Sequence, residues 1–383
     1  MKILFVAIPN HHFFQWVNQL EGAGHEVHWF DVTDGSDFVE KINWVHQIRG
    51  WKMRYDFPFR YLIKKRFPKI YSLLQKLNER KVASQFEKTV IQLQPDLVHC
   101  FEMNLSGIPI LEVLNKYHDL PLVYSSWGSD LFSYAKLGLK REAVESFLSR
   151  TNFLITDCHR DFEIAKKHHF SGQYLGMFPG NGGISIPENV IKECKNRTCI
   201  LIKGYDDQFG KALKVIEALE LLDISVFKNI KIAVYSAEKS VVLKMKSSPF
   251  FNSLNWSYHS RDAFFENQKL LALMGESILH IGNSISDGMP NALLEAMGMG
   301  AFPIQSNPGG VTEEVIQNGV TGLLIENPMD SKEIAQHIET ALRSSSLREN
   351  AQDYNIKFIE THYNRQQLRS KIVDLYPAIA PNK

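Results

Sequence analysis

Short apolar runs typical of buried strands alternate with helix-like stretches in both halves of this chain. The first half opens with the run Lys2–Ile8, a helical stretch Phe13–Ala23 that stops at Gly24, and a second run His25–Phe30. This alternation predicts parallel strands joined by crossover helices. Because the second half repeats it from Thr198–Lys203 onward, we predict an α/β fold of two Rossmann-like, doubly wound domains in tandem.

Further segments extend the same order along the chain. The other predicted strands are Asp96–Cys100, Leu122–Ser126, Phe153–Asp157, Ile230–Ser236, Ile278–Ile281 and Ala301–Gln305. The other predicted helices are Lys211–Leu222, one from Pro290, Thr312–Gln317 and a tail from Asn364 to Tyr376. Periodicity stops in the stretch Phe178–Gly183, so we divide the domains there, into 1–176 and 177–363.

Composition is that of a globular protein. The chain has 383 residues, 44% of them hydrophobic and 22% charged, with a net charge of +1 that favours no class of partner. Four cysteines form no CxxC pair, which fits a reducing compartment and buried structural thiols. The N-terminal apolar run is too short for a signal peptide, and no run of about 18 apolar residues occurs, so we expect a cytoplasmic protein.

Two acidic residues frame a loop and the start of a helix. The segment runs Asp287-Gly-Met-Pro-Asn-Ala-Leu-Leu-Glu295. Pro290 suits the first helical position, and Asn291 and Glu295 then share one helix face, while Leu293 and its apolar neighbours face the core. A carboxylate beside free loop amides suits a ligand that carries vicinal hydroxyls and negative charge.

This segment resembles the acidic-pair motif of retaining GT-B glycosyltransferases, family 4. The resemblance is strong from Gly180 to about Ile325 and looser in the first half. It implies two Rossmann-like domains that face a central cleft, with residues 364–383 crossing back to the first domain. It also implies transfer from a nucleotide sugar with retention of configuration, in which the leaving phosphate deprotonates the acceptor hydroxyl. From family frequency, the nucleotide is UDP.

The resemblance assigns donor-binding roles to the second half. Glu295 would hold the ribose hydroxyls. Asp287 would be a catalytic residue and hold a hydroxyl of the transferred sugar. The family more often has Glu at the position of Asp287, so the identity of the donor sugar stays open. Backbone amides would also bond the sugar, namely those of Gly288, Met289 and Asn291.

Two lysines match the family's basic pair. Lys203 and Lys211 would neutralise the departing diphosphate, Lys211 as a catalytic residue, although Lys203 is not Arg and the spacing is longer. Gly182 and Gly183 would let the backbone approach the ligand or form only an interdomain turn. Gly310 would close the pocket, and the loop Ser257–Arg261 would hold the nucleobase.

Acceptor binding is expected at strand ends of the first half. His99 is a candidate catalytic residue or a core histidine, and Asp130 would orient a hydroxyl. Trp127 stands where the family has His and would stack on a sugar. The remaining candidates for acceptor contact are Glu102, His11 and His12.

Several chemistries lack their motifs. The chain has no Asp-X-Asp, His-Glu-X-X-His or cysteine cluster, so we expect no metal and no cofactor beyond the nucleotide sugar. It has no Gly-X-Gly-X-X-Gly turn, so a dehydrogenase is not expected. The alternatives that remain are a nucleotide-sugar epimerase on the same fold and an inactive scaffold that binds a nucleotide sugar.

Residues 49–81 are strongly basic. They contain eleven basic and two acidic residues, interleaved with Trp51, Tyr55, Phe57, Phe59, Tyr61, Phe67 and Tyr71. This composition is typical of a contact with an anionic membrane. A solvated insertion packed on its own domain and a nucleic-acid arm are the alternatives. A membrane contact would bring the enzyme to a lipid-linked acceptor at the inner face of the plasma membrane.

Overall fold

The chain folds into two compact units. A computed structural model describes residues 1–55 and 60–379. Unit 1 comprises Met1–Asp157, Asp161–Gly182 and the segment that begins at Arg369, and unit 2 comprises Cys158–Arg160 and Gly183–Leu368. The sequence-based boundary at 176/177 thus compares with 182/183 in the structure, and the chain returns to unit 1 at Arg369 and not at 364.

Unit 1 is built on a seven-stranded parallel sheet. Its strands are β1 (Lys2–Ala7), β2 (Glu26–Asp31), β3 (His46–Ile48), β4 (Leu97–Phe101), β5 (Leu122–Ser125), β6 (Phe153–Thr156) and β7 (Gln173–Met177). Their order is β3-β2-β1-β4-β5-β6-β7. The helices up to the end of this sheet are α1 (His11–Val17), α2 (Arg60–Arg66), α3 (Pro68–Asn78), α4 (Val82–Leu93), α5 (Leu111–Lys116), α6 (Ser129–Phe132), α7 (Arg141–Arg150) and α8 (His159–Lys167).

Both faces of the unit 1 sheet are covered. On one face, Tyr124 of β5 packs against Phe147 of α7 at 5.1 Å between ring centroids. On the other, Phe5 of β1 lies 5.8 Å from Phe13 of α1 and 6.1 Å from Tyr376. The near-continuous apolar character of these strands follows from burial on both faces.

Unit 2 has a six-stranded parallel sheet. Its strands are β8 (Cys199–Lys203), β9 (Lys231–Ala237), β10 (Trp256–Ser260), β11 (Ser277–Gly282), β12 (Phe302–Ser306) and β13 (Leu323–Ile325), in the order β10-β9-β8-β11-β12-β13. Its helices are α9 (Ala212–Glu220), α10 (Lys239–Ser247), α11 (Asn267–Gly275), α12 (Asn291–Gly298), α13 (Ser331–Arg343) and α14 (Ser345–His362), and α15 (Arg365–Ile379) follows them.

The prediction of two doubly wound α/β domains is confirmed, because both sheets are parallel and unit 2 has the strand order 3-2-1-4-5-6 of the Rossmann fold. Three local predictions were wrong. Pro290 is the N-cap of α12 and not its first residue, since its ψ is 114° and its carbonyl accepts from Leu293 N at 2.9 Å. The predicted Thr312–Gln317 helix is only a 3₁₀ turn, Thr312–Glu314. The predicted loop at 257–261 is largely strand β10.

All four cysteines are free; Cys100, Cys158 and Cys199 are buried, and Cys194 is half-buried. No helix within residues 1–55 and 60–379 is both long enough and apolar enough to cross a membrane.

Candidate active site

The donor candidates of unit 2 meet where its strand order reverses. Strands β8 and β11 are neighbours, and their crossovers leave in opposite directions, which opens a crevice at their carboxyl ends. Lys203 is the last residue of β8, and Asp287 follows β11. Lys203 Nζ lies 3.6 Å from Asp287 Oδ2, and both side chains are partly exposed. The structure thus brings a predicted phosphate ligand and a predicted sugar ligand together.

Glu295 lies one turn into α12, on the face that the sequence predicted. Leu293 and Leu294, which flank the opposite face, are fully buried and fix the helix against the core. Burial raises the pKa of the Glu295 carboxyl to about 7, and a hydrogen bond with the Asn267 side chain acts in the opposite direction. Tyr235 lies near both acids: burial, and then the charges of Glu295 and Asp287, raise its pKa well above the ordinary value.

The loop between the two acids is mostly buried. Gly288 and Met289 are buried and Asn291 is half-buried. Met289 turns its side chain into the apolar cluster that contains Leu293 and Val311, so only its backbone remains for a ligand. Contacts from these three amides to a sugar stay a prediction.

Lys211 folds back on its own loop. Its Nζ donates to the carbonyls of Asp207 at 2.8 Å and Gln208 at 3.2 Å. The loop is further held by Asp207 Oδ1, which accepts from Phe209 N and Gly210 N. These two bonds leave one of the three N–H donors of the ammonium group for a phosphate.

Sequence reasoning missed an aromatic residue that lies between cations. Tyr205 comes just after β8, and its ring has the Arg261 guanidinium carbon 4.1 Å and Lys203 Nζ 4.9 Å from its centroid. Arg261 also pairs with Asp207, at 2.7 Å, and with Glu238. Cations over an aromatic ring are attracted by the ring quadrupole, which fixes their position. The short spacing between Lys203 and Tyr205 could have indicated the contact between these two residues. The contact with Arg261 could not be predicted locally, because Arg261 is distant in the sequence.

Two of the three candidate glycines are required by the protein's own backbone. A Cβ at Gly182 (φ +75°) would lie 1.8 Å from Gln19 Nε2, and one at Gly183 (φ +122°) would lie 2.8 Å from Arg365 Cα. The predicted reason, close approach to a ligand, is therefore not needed to explain Gly182 or Gly183. Gly310 (φ +81°) has more room, because a Cβ there would lie 3.4 Å from Glu313 Oε1, and it forms the turn after Pro308.

Arg160 connects two donor loops of unit 2 and was also missed. Its Nη2 donates to the Asp287 carbonyl at 2.8 Å and its Nη1 to the Pro308 carbonyl at 2.6 Å. The carboxylate of Glu314 accepts from the backbone N–H groups of His159 and Arg160. Because these partners are more than a hundred residues away, no local pattern could have predicted them.

Asp130 has a structural role in unit 1. It is fully buried and accepts hydrogen bonds from Met103 N at 2.8 Å, Trp127 N at 2.9 Å and the Tyr124 hydroxyl. With three donors already satisfied, this carboxylate holds the loops after β4 and β5 together. The expectation that it orients an acceptor hydroxyl is not supported by this placement.

Glu102 directly follows β4, at the switch point between β1 and β4. It has a positive φ of 69° and accepts from Asn104 N and Leu105 N at 2.7 and 2.6 Å. Burial, followed by the nearby charge of Asp130, raises the pKa of its carboxyl. A strained backbone and a perturbed carboxyl at a strand end are both typical of functional sites.

His99 is a core histidine. Its Nδ1 is 2.9 Å from the Tyr376 hydroxyl and its Nε2 is 2.8 Å from Ser125 Oγ. Burial lowers its pKa to about 3, so the ring is neutral at physiological pH. Of the two roles that the sequence left open, the structural one fits these contacts.

Three other acceptor candidates lie together at the same edge. His11 and His12 begin α1, and the His12 ring is 6.1 Å from the Trp127 ring. The Trp127 Nε1 atom is buried and has no hydrogen-bond partner within the described part of the chain. An indole N–H is a donor only, so this position suits an acceptor oxygen from a ligand.

Comparison with known proteins agrees with this geometry. Residues 257–358 match the family model of glycosyl transferases group 1, and residues 2–158 match that of glycosyl transferase 4-like proteins. A search of curated proteins finds no significant match.

Solved structures match over the whole chain. HepE of Anabaena, in complex with UDP and glucose, has 13% identity and a TM-score of 0.64, with 99% of this chain and 100% of that chain covered. Sucrose-phosphate synthase of Thermosynechococcus elongatus has 14% identity and a TM-score of 0.70, with 99% of each chain covered. A UDP-forming trehalose-phosphate synthase of Burkholderia xenovorans has 12% identity and a TM-score of 0.65, with 100% and 99% covered.

The chain therefore has the fold of the GT-B enzymes and is a glycosyltransferase. Residues 257–358, which contain the acidic pair, match the model of the group 1 glycosyltransferases.

Proposed function

We propose that this enzyme transfers a sugar from a UDP-sugar to a glycan or lipid-linked acceptor, with retention of configuration, as in family 4, and without a divalent metal. The observation that carries the donor half is the group formed by Lys203, Asp287 and Glu295 beside the β8–β11 crevice. A carboxylate can accept from both hydroxyls of a ribose, and a lysine can neutralise a diphosphate. Neighbours crystallised with UDP or named as UDP-forming support the choice of nucleotide.

Support for the acceptor half comes from unit 1. The imidazole of His12, the unpartnered Trp127 indole nitrogen and the buried Glu102 carboxyl lie beyond neighbouring strands of its sheet. They offer hydrogen bonds and an aromatic face, which is the combination that binds sugars. In this proposal Trp127 contacts the acceptor directly. Asp130 positions Trp127 by accepting a hydrogen bond from its backbone N–H.

A panel of nucleotide sugars tests the proposal. With UDP-sugars and candidate acceptors, we expect UDP release that requires acceptor and a product of retained configuration. Excess EDTA should leave the rate largely intact. Sugar interconversion without UDP release would indicate an epimerase, and binding without turnover would indicate a scaffold. Loss of activity with EDTA that magnesium or manganese restores would overturn the proposal of metal independence.

We also propose that residues 49–81 dock the enzyme on an anionic membrane at the inner face of the plasma membrane. In the structure the aromatic residues of this segment divide. Trp51 stacks on Phe30 at 5.1 Å and Tyr71 is buried, so part of the segment packs on its own unit. Phe67, in contrast, is 52% exposed and Tyr55 78% exposed. Phe57 and Phe59 lie outside the described residues.

Exposed cations lie beside these exposed apolar groups, namely Lys65, Arg66 and Lys69 next to Leu62, Phe67 and Ile70. Each cation near an anionic surface contributes about 1 kcal/mol, and salt screens that contribution. Flotation with anionic vesicles at low and high salt tests the docking. Equal, negligible binding to anionic and neutral vesicles would reject it.

A further inference from the structure

A cavity of about 570 Å³ opens in unit 1 beside the start of α4, and none of its lining residues is one of the acceptor candidates described above. Three cations line it, Lys52, Arg80 and Lys81, together with one acid, Glu79. The Glu79 carboxylate has two partners in the lining: its Oε2 lies 3.9 Å from Lys52 Nζ, and its Oε1 accepts a hydrogen bond from the Gln75 side chain. Three cations against one carboxylate leave the lining with an excess of positive charge.

Backbone carbonyls hold the Arg80 side chain in place. Arg80 Nη1 donates to the carbonyls of Trp51 at 2.6 Å and Met53 at 3.0 Å, and Arg80 N donates to the Lys52 carbonyl at 2.7 Å. Trp51 is in turn anchored, because its Nε1 donates to the Asp31 carbonyl at 2.9 Å. A guanidinium has five N–H donors, and the two on Nη1 suffice for this anchoring. A guanidinium fixed in this way loses little entropy when it binds an anion.

The adjoining helix adds to the positive potential. Val82 and Ala83, the first residues of α4, belong to the lining, and the first turn of this 12-residue helix has no acidic residue. The N-cap residue, Lys81, makes no side-chain cap hydrogen bond. The positive end of the helix dipole therefore reinforces the three cations.

We propose that this cavity binds a phosphate group, as a phosphomonoester or a diphosphate. The cations supply charge-assisted hydrogen bonds, and Arg matches the geometry of phosphate oxygens. The volume of about 570 Å³ is larger than one phosphate requires and leaves room for an attached glycerol or sugar. The same chemistry could come from a lipid headgroup or from a free phosphate compound. This site differs from the exposed docking surface of Lys65, Arg66 and Lys69, which would attract any anionic lipid.

Calorimetry with inorganic pyrophosphate tests the proposal, in a Lys203→Gln, Lys211→Gln background that removes the predicted phosphate ligands of unit 2. The variant is the double substitution Lys52→Gln with Lys81→Gln, which keeps the Arg80 anchor. The control is Lys65→Gln with Lys69→Gln, which removes the same charge from the docking surface. We expect the first variant to weaken pyrophosphate binding at least tenfold and the control less than twofold. Equal weakening in both, or no binding to the wild type, overturns the proposal. Because the comparison is between two variants in this same background, it stands even if the donor assignment of unit 2 is wrong.

Vesicles distinguish the two sources of phosphate. Wild-type protein is floated with phosphatidic acid or with phosphatidylserine vesicles of equal surface charge. A preference for phosphatidic acid that the pocket variant loses and the control keeps identifies a lipid headgroup. Pyrophosphate binding without such a preference supports the same pocket with a free phosphate compound as its ligand. A third variant, Arg80→Lys, is measured in the same way. If this variant and the pocket double variant are both folded and both bind pyrophosphate as tightly as the wild type, the cavity does not bind phosphate.

Discussion

The Glu295 carboxyl titrates in the range where the enzyme is expected to work. Burial raises its pKa to about 7, above the ordinary value of 4.5. If the ionised form binds the ribose diol, UDP-sugar affinity depends on the fraction that is ionised. That fraction rises from about a tenth at pH 6 to about nine tenths at pH 8, so we expect affinity to rise about tenfold over this interval. Calorimetry at several pH values measures it.

The matched variant is Glu295→Gln, with Glu349→Gln on the exposed surface of α14 as control. The glutamine variant should bind UDP-sugar more weakly by about 1–3 kcal/mol at pH 8, because a charge-assisted pair of hydrogen bonds is lost. Its affinity should also become nearly independent of pH. A folded Glu295→Gln protein with the wild-type pH profile would show that another group binds the ribose.

We expect Lys211 to act at the other end of the same donor. In the structure its ammonium group donates to two loop carbonyls, which hold it in place, and its third N–H donor can contact a phosphate. Charge on the leaving diphosphate is greatest in the transition state, and we therefore expect Lys211→Ala to lower kcat by at least tenfold while changing KM little. Lys214→Ala, one turn further along, is the control. A change in KM alone would place Lys211 in ground-state binding.

At the scale of elements, one hydroxyl of helix α15 bonds to two buried side chains of unit 1. Tyr376 OH accepts from Trp16 Nε1 at 3.0 Å and lies 2.9 Å from His99 Nδ1. Tyr376→Phe leaves both groups buried without a partner, and we expect the free energy of unfolding to fall by about 2–4 kcal/mol. Tyr354→Phe, whose ring is 53% exposed, should change it by less than about 0.5 kcal/mol. Urea unfolding measures both, and equal effects would contradict the assignment.

Elements with a strong periodic pattern were predictable from the sequence. The central strands β1, β4, β8 and β11 are short apolar runs because both their faces are buried, and all four were located within one or two residues. Strand β10 was taken for a loop because it is an edge strand whose side chains are largely exposed. The acidic pair was found because loop and helix lie in one segment. Arg160 was not, because the carbonyls that it contacts are more than a hundred residues away, and Arg261 was named only as the end of the predicted nucleobase loop, without its contact to the Tyr205 ring.

At the scale of the whole molecule, the same arrangement occurs twice. In each unit the predicted ligand-binding residues follow the first and fourth strands, where crossovers diverge: His12 and Glu102 in unit 1, Lys203 and Asp287 in unit 2. Each unit also has a fully buried histidine inside its sheet, His99 in unit 1 and His280 in unit 2. These two residues make the stability of both units depend on pH.

Burial lowers the pKa of His99 and of His280 from 6.5 to about 3, and the charge of Lys203 adds to the effect at His280. Between these two pH values the unfolded chain binds a proton that the folded chain does not. Their stabilising contribution is therefore complete above pH 6.5 and is lost as pH falls, by about 1.4 kcal/mol per pH unit for each histidine. Glu295 acts in the opposite direction between pH 7 and 4.5, since its folded pKa is raised.

Tryptophan fluorescence can isolate the unit 1 contribution, because five of the six tryptophans (Trp16, Trp29, Trp44, Trp51 and Trp127) belong to unit 1 and Trp256 to unit 2. We expect urea unfolding followed by fluorescence to show that His99→Gln lowers the slope of the unfolding free energy against pH by about 1.4 kcal/mol per pH unit between pH 6.5 and 5, while Glu102, whose pKa is raised, contributes with the opposite sign equally in both proteins. His118→Gln, an exposed histidine of the same unit, should keep the wild-type slope. The slope is the quantity to compare, since His99→Gln also loses hydrogen bonds and is less stable at every pH. If His99→Gln and wild type lose stability in parallel on acidification, His99 is protonated in the folded protein, and its hydrogen bonds to Tyr376 and Ser125 are not those of a neutral ring.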